Sequence, residues 1–332
     1  MARILTEHLE SGVFTRQRLI NLTNASIVDA ASGDGSRRYL SSNGNPSFAR
    51  LSMLGSYSEV YGETWFESNQ LPGLDQDQII RFFNGSTQLA SFQLTAANVW
   101  APKIGASVET AGSLAATWGV WHCAEFHYKI HASTGALTLK IDGIEVCSFT
   151  GDTVVSGLTV FDIVEMYYST GSAHINADGL VINDTTGGES NSWPGIIYVS
   201  SQDPDAVSAT YNAWSGSAGG DKNLLVDEYP PNETDFVYSV TNAQKQGFSF
   251  GAHSVPVNGV IQAVIHEYYA RKISSGQVKM GMRDGGVDAQ TAALDLGVDW
   301  AVLQNRQPLD PSAAAWNLTT ADSVETFVET VI

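Results

Sequence analysis

Two carboxylates, Asp162 and Glu165, punctuate the apolar stretch Val160-Phe-Asp-Ile-Val-Glu165. Paired carboxyls are what glycosidic-bond cleavage demands: a retaining mechanism sets them about 5 Å apart, one attacking and one protonating. Glu125, His127 and His131 share one face of a strand and are residue types that hold zinc. Their spacing favours a solvated ladder or contact surface instead, because i and i+4 side chains on a strand stand about 13 Å apart. Lys129 also places a positive charge between the two histidines. Asp178, Asn183 and Asp184 offer oxygens of the kind calcium accepts, without the fixed spacing of a calcium loop, and such side chains also stabilise turns on their own. They are the calcium candidates, and no other metal or cofactor is expected. Among eight tryptophans, Trp100 and Trp214 lie in Gly/Ala/Asn-rich stretches and are the candidates for ligand or partner contact. No nucleophile-elbow signature occurs, and Gly216-Ser-Ala-Gly-Gly220 does not join a strand to a helix as a phosphate loop does.

The elements that must position these residues are strands. From Trp121 to Val146 the chain spells three of them with their turns: His122, Ala124, Phe126, Tyr128 and Ile130 alternate with Cys123, Glu125, His127, Lys129 and His131. Leu137, Leu139 and Ile141 continue the period of two, and Asp142-Gly143 is a two-residue turn that asks for positive φ. Short alternating or apolar runs punctuated by Gly, Asn and Pro fill the rest of the chain, which predicts an all-β sandwich rather than βαβ units. Asp184 to Gly195 is the clearest break. It divides an expected first domain, residues 1–188, from a smaller β-sandwich over residues 196–332, with residues 189–195 as linker. Near the end, Thr320 reads as the N-cap of one helical turn before a last strand from Phe327.

Composition narrows the partners. A formal charge of −18, from 35 acidic and 17 basic residues, repels a phosphate backbone and argues against nucleic acid. No apolar run approaches the roughly 20 residues a membrane helix requires, and the opening residues are charged where a signal peptide is apolar, so neither membrane insertion nor export is expected. Cys123 and Cys147 fall on strands two positions apart, about 10 Å, which predicts two free thiols and a reducing compartment.

The stretch Trp121 to Val146, with its Glu-Phe-x-Tyr-Lys-Ile, Ser-Thr-Gly and Ile-Asp-Gly-Ile elements, resembles the concanavalin A-like, laminin-G-like jelly roll of tailed-bacteriophage virion proteins. Met1-Ala-Arg-Ile-Leu, Asp178 to Gly188 followed by Trp193-Pro-Gly, Val226 to Pro231, and Leu309 to Trp316 are similar to segments of the same group. The resemblance implies a concanavalin A-like jelly roll followed by the smaller sandwich. It further implies a non-enzymatic structural protein on the virion exterior, as head decoration, neck or tail-fibre component, assembled in the host cytoplasm. Its partners would be capsid or tail proteins and further copies of itself, with host-surface carbohydrate as an added ligand. A glycan-binding adhesin is the alternative. A third reading follows from laminarinase-type glycosidases, which share the jelly roll and carry Glu-x-Asp-x-x-Glu. This chain matches the motif at Asp162 and Glu165 but has Val160 where the nucleophile belongs, so no catalytic residue is assigned.

Overall fold

The computed structural model describes residues 3–7, 19–23, 25–29, 38–42, 47–68, 78–112, 117, 119–169, 175–186, 191–198, 200, 202–228, 232–253, 260–273 and 276–332. Trp118 and part of the segment Val226 to Pro231 lie outside them. The chain is all-β and forms two compact units that divide between residues 199 and 200.

In the first unit the strands are β1 (Arg3–Glu7), β2 (Leu19–Thr23), β3 (Ala25–Asp29), β4 (Arg38–Ser42), β5 (Ser47–Tyr57), β6 (Glu59–Ser68), β7 (Gln78–Asn84) and β8 (Thr87–Leu94). They continue with β9 (Trp100–Ile104), β10 (Ser107–Val108), β11 (Trp121–Lys129), β12 (Gly135–Ile141), β13 (Ile144–Gly151), β14 (Phe161–Ser169) and β15 (Ile175–Asp184). An eight-stranded sheet runs β13-β12-β11-β6-β15-β4-β3, with β1 also on β15, and a seven-stranded sheet runs β10-β9-β8-β7-β14-β5-β2. All pairings are antiparallel, and the non-sequential order is that of a jelly-roll sandwich.

Alternation sets which residues fill the space between the sheets. Phe126 and Tyr128 of β11 meet Phe82 of β7, and Phe66 of β6 meets Trp100 of β9, across the two layers. Gly62 on β6 makes room for Phe126, whose ring edge would stand 2.1 Å from a Cβ placed there. The hairpin turn behaves as its residues ask: Asp142 and Gly143 have φ of 52° and 80°. Both cysteines are free and buried.

The segment expected as a linker belongs to the first unit and straps the outer face of the eight-stranded sheet. Asn183 Nδ2 donates to the Ser192 carbonyl (2.8 Å) and Trp65 Nε1 to the Ile197 carbonyl (2.9 Å). Trp193 packs edge-on against Tyr61, with the Lys140 ammonium 3.7 Å from its ring centre, and Tyr198 leans on Trp65.

In the second unit the strands are β16 (Pro204–Asn212), β17 (Ser215–Gly216), β18 (Val237–Tyr238), β19 (Lys245–Phe250), β20 (Val264–Ala270), β21 (Gln277–Asp284), β22 (Val287–Gln290), β23 (Leu294–Asp295), β24 (Ala301–Gln307) and β25 (Glu325–Val331). The main sheet runs β16-β19-β25-β21-β22, and the β20-β24 pair covers one side of it. Val278, Leu296 and Val328 pack there with Trp214, Tyr268 and Leu303. The one-turn helix α1 (Leu318–Ser323) precedes β25; its N-cap is Asn317, whose side chain accepts from the Thr320 N–H, so Thr320 closes the capping box instead of opening it. Asp310 Oδ1 accepts from the Ser312 and Ala314 N–H groups, folding the Leu309 to Trp316 loop back so that the buried Trp316 donates to the Gln307 carbonyl.

Candidate functional site

The residues singled out by type lie apart from one another. Glu125 is 5% exposed and stands directly opposite Glu63 on β6. His127 stacks on Tyr61 (4.2 Å) beneath Trp193 and bonds Glu59 at 3.0 Å; burial lowers its pKa against the pull of that carboxylate. His131 stands in a turn, its Nδ1 accepting from the Ser133 and Thr134 N–H groups. The face expected to be solvated is therefore largely roofed by the 191–198 strap. Trp100 begins β9 at 3% exposure and is core, not loop; Trp214 is half-buried, with Nε1 bonded to the Gln244 carbonyl. Asp178 and Asn183 are separated along β15 by about 16 Å of strand, and Asp184 Oδ1 is engaged by Thr186 in an Asx turn. Among the described residues no group of three or more His, Cys, Asp or Glu is placed to hold a metal, and no helix is long and apolar enough to cross a membrane.

What the fold does assemble is a polar row across the outer face of the seven-stranded sheet. Ala49, Leu51, Phe82, Val164 and Phe92 point into the sandwich, so the residues between them point out. Strand register then aligns Arg50 (β5) with Glu165 (β14), Glu165 with Arg81 (β7), Arg81 with Ser91 (β8), and Ser91 with Lys103 (β9). Glu165 is fully buried between the two guanidinium groups. Arg50 donates to its Oε2 through Nε (2.8 Å) and Nη2 (2.6 Å), and Arg81 Nη2 ion-pairs with Oε1. Phe83 floors both cations, 4.6 Å from Arg50 and 4.9 Å from Arg81. Beside the row, Gln88 Nε2 donates to Gln78 Oε1 and Ser91 Oγ.

Lys103 closes the row at the far end, half-buried and without an acidic partner among the described residues. Burial first, and the Arg81 charge second, lower its pKa. The side chain of Arg50 remains 24% exposed, and its Nη1 makes no hydrogen bond among the described residues. Three cations against one carboxylate give the row a formal +2 in a chain of −18.

Glu165, read from the sequence as half of a degenerate glycosidase pair, is thus the anchor of two arginines. Asp162 is elsewhere, its Oδ1 accepting from the Gly85 N–H. Sequence reading passed over Arg50, Arg81 and Lys103. Arg81 had a visible signal, because a cation inside Gln78-Ile-Ile-Arg-Phe-Phe83 must find a counter-charge.

No protein-family model matches the sequence, and no curated protein matches it. Solved structures match in fold over about half the chain. Cellulose induced protein Cip1 aligns with a TM-score of 0.44 at 12% identity, covering 55% of this chain and 99% of its own. An endo-β-1,4-glucuronan lyase from the fungus Trichoderma reesei gives 0.40 at 14%, covering 55% and 96%. A sialidase from Trypanosoma rangeli gives 0.40 at 13%, covering 56% and 31%. None of these structures is named as a virion component, and the expectation of a non-enzymatic bacteriophage structural protein is withdrawn. The short motifs that suggested a virion have packing roles here: Trp193-Pro-Gly is the strap, and Leu309 to Trp316 is a loop capped by Asp310.

Proposed function

We propose that the first unit is a glycan-recognition unit whose ligand lies across the outer face of the seven-stranded sheet. The observation behind this reading is the row from Arg50 through Glu165, Arg81 and Ser91 to Lys103. It sets two part-exposed cations, Arg50 and Lys103, at the ends of a line of buried polar side chains on five adjacent strands, about 19 Å at four inter-strand spacings. Side chains on strands, clamped by ion pairs and by the ring of Phe83, hold their geometry better than loop residues, which suits a hydroxyl-rich ligand that rewards fixed donors. Half-buried Gln88 beside the row adds an amide able both to donate and to accept.

Affinity electrophoresis and calorimetry of the full chain against a panel of neutral and acidic polysaccharides test the reading. Binding to at least one polymer, weakened about tenfold or more by Arg50→Ala combined with Lys103→Ala, is expected. Absence of binding to every polymer, or binding indifferent to the double substitution, removes this face as the site. Scanning the same mixtures for new reducing ends or unsaturated products reports whether recognition leads to cleavage.

A further inference from the structure

We infer that the glycan recognised is an acidic one, a uronate-type polymer whose carboxylates are taken by Lys103 and Arg50 at the two ends of the row. This rests on the glycan-recognition reading above and adds the ligand's charge.

Arg50 spends Nε and Nη2 on Glu165 and leaves Nη1 without a hydrogen-bond partner among the described residues, and Lys103 Nζ has none there either. Two unsatisfied cationic donors on one face, in a chain that is otherwise strongly acidic, are the complement of an anion. Glu165 does not cancel them. It stands under the row at zero exposure and keeps the Arg50 guanidinium in place, with the rings of Phe83 and Phe48 packed against it. Lys103 lies beside a second guanidinium that raises the local positive potential, which is the second cause of its lowered pKa.

Spacing then selects a polymer. Arg50 and Lys103 sit four strands apart, about 19 Å, so one small anion cannot bridge them while a chain with a carboxylate on successive sugars can engage both, each contact raising the effective concentration of the other. Nucleic acid carries a phosphate about every 1.7 Å of duplex, a density that the −18 chain repels over its whole surface, whereas a polyuronate presents fewer charges per unit length.

The test uses the full chain with three probes: polygalacturonate, the same polymer after carboxyl reduction, and single-stranded DNA. Polygalacturonate should bind, the reduced polymer should bind at least tenfold more weakly, and affinity for the acidic form should fall about fivefold between 50 and 200 mM salt. Lys103→Gln should flatten that salt dependence, and Lys103→Arg should restore it. Equal binding of the native and reduced polymers overturns the acidic assignment and leaves glycan recognition standing. Preference for DNA overturns it as well. Binding of no polysaccharide in the wider panel overturns the recognition reading itself.

Discussion

At the scale of the residue, Glu165 changes meaning once its neighbours are known. A carboxylate with an arginine on either side and no exposure is poorly placed to protonate a leaving group, and its removal strands two cations in a low-dielectric layer. Glu165→Gln is expected to lower stability by about 3 kcal/mol, seen as a shift of the urea midpoint at unchanged slope. A loss within about 0.5 kcal/mol would mean that the arginines find other partners without cost. Glu165 itself was visible in the sequence, but Arg50 lies 115 positions away, and no spacing rule links them. Only the order β5-β14-β7 makes them neighbours, and strand order is the part of a jelly roll that local alternation leaves undetermined.

At the scale of the element, the hairpins were fully legible. The period of two in β11 and β12 and the Asp142-Gly143 turn fix strand, register and turn conformation together, because each is a local preference of the same few residues. The segment after β15 packs back onto its sheet for a physical reason. Gly, Ser and Asn signal a chain leaving its sheet, but Trp193 within the same stretch is aromatic surface that is partly covered on Tyr61, while Tyr198, 53% exposed, leans on Trp65. Trp193→Ala is therefore expected to cost about 2 kcal/mol in chemical unfolding, although the ring is only partly buried. It should also raise amide exchange along β6 and β11. A free linker would show neither effect.

At the scale of the molecule, acid is the condition under which stability should fail. His266 joins β20 to β24 through Asn305 (2.7 Å), and burial pushes its pKa from 6.5 down to about 3. Between those values the unfolded chain binds a proton that the folded one refuses. This contribution to stability is therefore complete above pH 6.5 and is lost as pH falls toward 3, at about 1.4 kcal/mol per pH unit. The urea midpoint should drop between pH 6.5 and 4, and His266→Gln should flatten that drop; an unchanged slope in the variant would assign acid sensitivity to the carboxylates alone. The polar row has a different dependence, on the order in which the chain is made. Its five strands come from widely separated sequence positions, with β14 emerging last and lying between β5 and β7. A nascent chain that has not reached residue 161 holds both arginines without the carboxylate that locks them. Ligand competence thus arrives late and all at once, and ligand capture can serve as a readout of completed folding.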